Sequence, residues 1–394
     1  MDVLSDEQEA LIQRTAGEFL AAECPPSLVR AVEKSEEKYS KQLWTKFADL
    51  GWLGLCLPEE QGGQGLPLTY LGLVLEEVGR YLAPLPVHST MVPALVLASF
   101  GTPVQMKLLE RVACGELLLS FGIVERSGRW STDAIALSGR RDGNDIVLNG
   151  SKYFVDNFRI AQKCMVAVRM FGADGGDEGP AAVLVDTASA GIHCEPLLTT
   201  AKDGESVVRF DDVRVPQSNR VGAPRQGRAA VDALMDYASV FLVSQMQGAA
   251  RRAMEFAVEY VKHREAFGQP IGAFQAIQHM AADMVNAVDG TQLLGREAVW
   301  RLSRGLPARV EVAQAKSFAN EKCLMVCRSA QQMHGGIGFI AEFDLNLWYR
   351  RVTSWTLRGG TTYEHRARIA SALLDTPGEV RLGRALELPA AAPD

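Results

Sequence analysis

The sequence lacks the features of a nucleic-acid-binding, membrane-spanning or secreted protein. Its 41 lysines and arginines are outnumbered by 47 aspartates and glutamates, and the formal net charge of -6 predicts no overall attraction to nucleic acid or anionic lipid. No apolar run approaches the ~20 residues that a membrane-spanning helix needs. The amino-terminal segment has no basic start followed by an apolar stretch, so we expect no signal peptide and a cytoplasmic location.

The cysteines do not form the pattern of a disulfide framework. They are seven in number and scattered along the chain. Cys323 and Cys327 lie four residues apart on a predicted helix, a spacing that suits a pair of metal ligands, but no nearby histidine or cysteine completes a tetrahedral set. We therefore expect seven reduced, mostly buried thiols and no metal.

The hydrophobic pattern changes twice along the 394 residues, and the chain is long enough for two or three cores. Apolar residues at three- and four-residue spacing predict helices in 1–118. Short segments rich in β-branched residues, with a turn at Asp142-Gly-Asn144, predict an antiparallel β domain in 119–222. Four long helices predict a bundle in 223–394. The expected fold is α+β, with an N-terminal α-helical domain, a middle antiparallel β domain and a C-terminal four-helix bundle.

Two segments of the predicted bundle contain residues with interpretable chemistry. Arg264 stands beside a Gly-Pro break and a new helix N-terminus, and a guanidinium with free backbone N–H groups favours an anion such as a diphosphate. The alternative is an ordinary surface arginine at the end of a helix. The second segment, Gln332–Phe339, is a glycine-rich turn, and glycines alone also serve close backbone packing.

Four segments together resemble the acyl-CoA dehydrogenase family of flavoproteins. They are PEEQGGQG at 58–65, IVLNGSKYFV at 146–155, REAFGQPIGAFQAIQHMAADM at 264–284 and QMHGGIGF at 332–339, so the resemblance covers nearly the whole chain. It implies the same three-part fold, and an FAD that lies between two subunits of a dimer or tetramer. It also implies an acyl-CoA thioester as substrate and an electron-transfer flavoprotein or a similar acceptor.

The resemblance assigns cofactor contacts by position. Three residues match those that reach the diphosphate and adenine side of a flavin bound mainly by the neighbouring subunit, two match a second part of that contact, and one matches the threonine of the family's Tyr-Glu-Gly-Thr segment. These predicted contacts are Arg264, Phe267, Gln275, Gln332, Gly336 and Thr361.

The half of the site that faces the flavin ring departs from the family pattern. Val124–Asp133 replaces a Thr-Glu-Pro-Gly-Ala-Gly-Ser-Asp-like loop and has two arginines, and Phe154-Val-Asp156 replaces Trp-Ile-Thr. An anionic Asp156 near the flavin N5 edge would not suit a ring that accepts hydride. The loop residues left as candidate contacts are Glu125, Ser131 and Thr132.

The catalytic glutamate of the family has no counterpart at either of its two known positions. The α-proton of an acyl-CoA is weakly acidic, so its removal needs a desolvated carboxylate with a raised pKa. The usual position is Gly359, and the position on the first bundle helix that a minority of members use is Ala238. Asp236 is a weak substitute, with helix packing or a CoA contact as alternatives. Glu364 is more than one helical turn from Gly359 and is a poor substitute.

These observations leave three hypotheses. The first is a subunit of a heteromeric α2β2 acyl-CoA dehydrogenase, of the kind used for steroid-derived or other bulky acyl-CoAs, which completes a flavin site without its own base. The second is an active homo-oligomeric flavoenzyme with a non-standard base or a different reaction, such as desulfination or oxidase chemistry. The third is a binding or scaffold protein that has lost flavin.

Overall fold

The N-terminal part of the chain is helical. In the computed structural model, which describes residues 6–375, α1 begins with a capping box in which Asp6 accepts from the backbone of Glu9 and Glu9 accepts from the backbone of Asp6. Its helices are α1 (Glu7–Glu23), α2 (Pro26–Lys34), α3 (Lys41–Asp49), α4 (Leu68–Arg80), α5 (Val87–Phe100), α6 (Pro103–Met106) and α7 (Leu108–Ala113).

The middle part is one eight-stranded sheet in the order β6-β7-β3-β2-β4-β5-β8, with β1 beside β4. The predicted turn is confirmed, because Asp142 pairs with Asp145 across Gly143, whose φ is +59°. The strands are β1 (Leu119–Gly122), β2 (Ser138–Asp142), β3 (Asp145–Asp156), β4 (Lys163–Phe171), β5 (Asp177–Asp186), β6 (Ile192–Pro196), β7 (Glu205–Pro216) and β8 (Arg220–Val221).

The sheet is mainly antiparallel, as predicted, but two of its pairs are parallel. β4 pairs in parallel with β1 through Lys163–Val166 and with β2 through Arg169–Phe171. β1 and β2 therefore follow one another along the same edge of β4. The segment 123–137, which joins them, is displaced from this edge, and part of it covers the site described below.

The helices return after the sheet. α8 is buried along most of its length and crosses α4 at direct backbone contact, since a Cβ on Gly248 would lie 1.7 Å from the carbonyl oxygen of Glu76. The helices of this part are α8 (Gly227–His263), α9 (Gln275–Ser303), α10 (Arg309–His334), α11 (Leu345–Trp355) and α12 (Thr362–Leu374), and a small hairpin of β9 (Glu265–Ala266) and β10 (Gln269–Pro270) joins α8 to α9. The predicted fold class is confirmed.

Within residues 6–375, no helix is long and apolar enough to cross a membrane. The same range contains no group of three or more His, Cys, Asp or Glu side chains arranged to hold a metal ion. Cys323 and Cys327 are buried on α10, and burial raises the pKa of the Cys323 thiol to about 12.

Candidate active site

A cavity of about 200 Å³ lies where α5, α8, β3 and the segment between α11 and α12 meet; we call it the chamber. Its walls are mostly aromatic and aliphatic, and they include Trp130 from segment 123–137 and Phe154 from β3. Gly359 and Ala238, the two predicted base positions, both line it. The structure therefore brings these two sequence positions, more than a hundred residues apart, to one place.

The Gly359-Gly360 turn between α11 and α12 is fixed by hydrogen bonds to its backbone. The Gly359 carbonyl accepts from Ser239 Oγ at 3.0 Å and from His365 Nε2 at 2.7 Å, and the Gly360 carbonyl accepts from Asn320 Nδ2 at 3.2 Å. Both glycines have positive φ, +63° and +92°. The turn is thus held by three helices in a conformation that favours glycine.

A lysine lies directly behind Gly359. Lys316 is fully buried, its Nζ donates to the Trp355 carbonyl at 3.1 Å and to Asn320 Oδ1, and burial lowers its pKa to about 7. A Cβ added to Gly359 would lie 3.2 Å from Lys316 Cε. A side chain at position 359 therefore meets the lysine stem as well as an unfavourable φ.

The second base position is covered by a histidine. His88 on α5 lines the chamber, and its Nε2 donates to the Ala238 carbonyl at 2.9 Å, since a carbonyl oxygen only accepts. Burial lowers the pKa of His88 to about 4, so the ring is neutral at pH 7. Nδ1 of this ring makes no hydrogen bond to any other part of the described chain.

Glu364 lines the chamber, but its carboxylate is used at the start of α12. Oε2 accepts from the Thr361 amide at 2.9 Å and from Thr361 Oγ1 at 2.8 Å, and Oε1 accepts from the Trp130 amide at 2.6 Å. Thr361, one of the predicted cofactor contacts, is the N-cap of α12 in this arrangement. The expectation that Glu364 is a poor base agrees with these contacts.

Asp236, the weak candidate base, does not belong to the chamber lining. It stands two residues before Ala238 on α8, which turns its side chain by about 200° from the chamber side. Burial raises its pKa to about 6, and the charges of Arg368 and Arg309 oppose that rise. This position gives the candidate no geometric support, and the 3.6-residue helical period between Asp236 and Ala238 is a signal in the sequence that could have disfavoured it.

Two of the three loop residues that the sequence analysis kept as candidate cofactor contacts form hydrogen bonds with other residues of the chain. Glu125 Oε1 accepts from the amides of Ala136 and Leu137 at 3.0 and 2.9 Å and from Lys152 Nζ at 2.7 Å, so this carboxylate braces segment 123–137. Thr132 is buried and donates to Asp232 Oδ1. Ser131 is partly exposed and starts the short turn that contains Thr132.

The end of β3 brings a carboxylate to the chamber. Val155 belongs to the core of the sheet, and because side chains alternate along a strand, Asp156 faces the other way. Phe154, with a φ of +56°, lies at a register shift between β3 and β7 and is half exposed. Burial raises the pKa of Asp156 to about 6, although the charge of Arg358 lowers it.

A buried ion cluster adjoins Asp156, and sequence reasoning missed it. The guanidinium of Arg358 lies 2.7 Å from Asp203 Oδ2 and 2.6 Å from Glu205 Oε1. Burial raises the pKa of Glu205 to about 8 in spite of this arginine. A charged residue directly before Gly359 was the only signal in the sequence, and it did not identify partners some 150 residues away.

The other predicted cofactor contacts lie on an exposed surface outside the chamber. Arg264 is exposed at the end of α8, Phe267 at the tip of the β9-β10 hairpin is 95% exposed, and Gln275 starts α9. The rings of Tyr260 and His334 stack at 4.3 Å and join the end of α8 to the glycine-rich turn. We call this face, defined by Arg264, Phe267, Gln275, Gln332 and Gly336, the hairpin surface.

Comparisons with known proteins identify the family. Residues 225–374 match the model of the acyl-CoA dehydrogenase C-terminal domain, and residues 5–116 match that of the N-terminal domain. The acyl-CoA dehydrogenase FadE12 of Mycobacterium tuberculosis is 31% identical over 317 residues, which cover 79% of this chain and 82% of FadE12. The chain belongs to the acyl-CoA dehydrogenase family.

Two solved structures are similar to this member of the acyl-CoA dehydrogenase family over nearly its whole length. A variant of the Tcur3481-Tcur3483 steroid ACAD is similar at 30% identity with a TM-score of 0.86, over 94% of this chain and 98% of that one. The ChsE4-ChsE5 complex of Mycobacterium tuberculosis is similar at 25% identity with a TM-score of 0.88, over 96% and 100%. The family predicted from the sequence motifs is confirmed.

Members of the acyl-CoA dehydrogenase family are FAD-dependent oxidoreductases. In this chain the hairpin surface fits that cofactor better than the chamber does. The hairpin surface offers an exposed guanidinium beside the start of α9, which suits a diphosphate. The chamber is smaller than the roughly 300–1,000 Å³ of pockets that enclose drug-sized ligands. Val124 and Asp156 on its wall carry no hydroxyl group, and a cavity of this volume does not fit a flavin ring and an acyl thioester together.

Proposed function

We propose that this chain is a subunit of a heteromeric acyl-CoA dehydrogenase that completes its partner's FAD site and supplies no catalytic base. The observation that carries the proposal is the lining of the chamber at both base positions. Gly359 has no side chain, Ala238 has only a methyl group, and the nearby carboxylate of Glu364 is held by Thr361 and Trp130. Proton abstraction from an acyl-CoA requires a free carboxylate at this point.

The hairpin surface supports the other half of the proposal. Its five residues are those that the family resemblance assigns to the neighbouring subunit's flavin, and none of them lines the chamber. The bound FAD would accept hydride in the partner's site. Arg264 would contribute there by pairing with the diphosphate, and the free backbone amides at the start of α9 would contribute by donating to it.

The proposed substrate of the complex is a bulky or steroid-derived acyl-CoA, with an electron-transfer flavoprotein or a similar protein as electron acceptor. Similarity to a steroid ACAD supports the acyl group, and similarity to the ChsE4-ChsE5 complex supports a heteromeric assembly.

The test is the flavin content of the chain alone and with its partner. The chain should be colourless when purified alone, and coexpression with a homologous subunit should give a yellow complex with one FAD per two chains. In that complex Arg264→Ala should release flavin, while Arg304→Ala, an exposed arginine at the far end of α9, should not. One FAD per chain with turnover by this chain alone would overturn the proposal and favour an active homo-oligomer.

A further inference from the structure

The carboxylate of Asp156 has no side-chain partner in the described part of the chain. Among the described residues, the Asp156 side chain forms no ion pair and no hydrogen bond with another side chain. The one hydrogen-bond donor that stabilises its charge is the backbone amide of Asn157. Strand alternation turns it towards the chamber, opposite to Val155 in the sheet core. Asp156 is partly buried, and a carboxylate in such a position is normally paired in proteins.

The nearest cation does not balance this charge. Arg358 is already shared between Asp203 and Glu205, at 2.7 and 2.6 Å. Arg351 acts on Asp156 and Asp203 only at longer range. Arg358 is therefore held by Asp203 and Glu205, and no cation of the described residues lies within ion-pair distance of the Asp156 carboxylate.

The walls of the chamber suit a ligand with an apolar body. Phe121, Trp130, Tyr153, Phe154 and Trp355 all line it. Aromatic faces attract organic cations, most strongly when the cation is desolvated, and cages of aromatic rings recognise quaternary ammonium groups. A volume of about 200 Å³ restricts the ligand to roughly the size of a single ring with a short substituent.

We propose that the chamber binds a small organic cation, an ammonium group on a compact apolar body, with the Asp156 carboxylate as its counter-ion and the aromatic walls around its body. This site would give the chamber a ligand of its own in a subunit whose chamber is not used for dehydrogenation. The inference rests on the proposed function, because a flavin ring in this chamber would exclude the cation.

Three probes of similar shape and different charge test the proposal. Benzylammonium, benzyl alcohol and benzoate are titrated into the full-length chain, or into its complex with the partner subunit, by isothermal titration calorimetry. We expect benzylammonium to bind at least tenfold more tightly than benzyl alcohol, and benzoate not to bind. Equal binding of the amine and the alcohol, or no binding of the amine at millimolar concentration, would overturn it.

A matched pair of variants locates the site. Asp156→Asn keeps the shape of the side chain and should weaken benzylammonium binding at least tenfold, while Asp49→Asn, at an exposed position at the end of α3, should leave it unchanged. Retained affinity in Asp156→Asn would place the amine elsewhere and refute the inference. FAD content measured on the same samples distinguishes the two outcomes: a chain without flavin that does not bind the amine refutes only this inference, whereas one FAD per chain refutes the proposed function.

Discussion

Ser239 Oγ donates a hydrogen bond to the carbonyl oxygen of Gly359 at 3.0 Å, and Ser239 directly follows Ala238 on α8. The two predicted base positions, Gly359 and Ala238, are thus connected through one hydroxyl group in this chain. Because the contact uses the backbone of Gly359, the turn keeps its place without any side chain at that position.

Gly359→Ala should destabilise the protein more than Gly305→Ala, which introduces the same backbone strain but no steric contact. Gly359 and Gly305 both have a φ of +63°, but a Cβ at Gly305 meets nothing within 4 Å, whereas at Gly359 it meets Lys316 Cε at 3.2 Å. We expect a loss of about 1 kcal/mol in the free energy of unfolding for Gly305→Ala and about 2–4 kcal/mol for Gly359→Ala. Urea unfolding of both variants measures the difference, and equal losses would contradict the crowding at Gly359.

Asp156→Asn should remove a pH dependence of stability. The pKa of Asp156 is about 6 in the folded chain and about 3.9 in an unfolded one, so the folded state binds more protons between these values and wild-type stability falls as pH rises from 4 to 6. The variant lacks this fall, so its advantage over wild type should be small at pH 4 and reach about 1–3 kcal/mol above pH 6. Thermal unfolding across this pH range checks it, with Asp49→Asn as a control that shows no such trend. A constant difference would mean that Asp156 does not titrate as inferred.

Lys316→Met should remove a pH dependence of the opposite sign. The folded pKa of Lys316 is about 7 and the unfolded value is about 10.4, so the unfolded state binds more protons between them and wild-type stability rises with pH in this window. The stability of Lys316→Met relative to wild type should therefore decrease from pH 7 to pH 10. The exposed Lys41→Met variant should stay parallel to wild type in the same urea titrations. If the stability of both variants changes with pH as that of the wild type does, Lys316 is not the source of the rise in stability.

Glu364→Ala should be much more costly than loss of an exposed glutamate of the same bundle. Glu364 accepts from the Thr361 amide and hydroxyl and from the Trp130 amide, so its removal breaks one half of the α12 capping box and leaves the Trp130 amide without its acceptor. We expect a loss of about 2–4 kcal/mol. Glu321→Ala breaks only an exposed pair with Arg366 and should cost less than about 1 kcal/mol. Equal midpoints in urea unfolding would show that Glu364 does not hold the turn.

Much of the fold followed from local signals in the sequence. The change of hydrophobic period located the helical and β parts, and the Asp142-Gly-Asn144 turn was predicted because two-residue hairpins need such residues. The parallel pairing of β4 with β1 and β2 was not predicted. Parallel strands are usually recognised in a sequence by a helix that connects them, and no helical pattern precedes β4 in this part of the chain.

The site was predictable only where motifs could be matched. Gly359 and Ala238 were found by matching and do line one chamber. The pairing of Arg358 with Asp203 and Glu205 could not be predicted, because an ion pair between distant segments produces no repeating pattern in a single sequence. The roles of the residues on the hairpin surface stay predictions, which the flavin measurements above address.

The hairpin surface and the chamber have no residue in common, and this separation affects how the chain can change over generations. In the proposed complex, substitutions around Asp156 or Gly359 change the chamber of this chain, whereas substitutions at Arg264 or Gln275 change the face that meets the partner's flavin. The proposal therefore predicts that the chamber can drift or acquire a new ligand, while the hairpin surface changes in step with the gene of the partner.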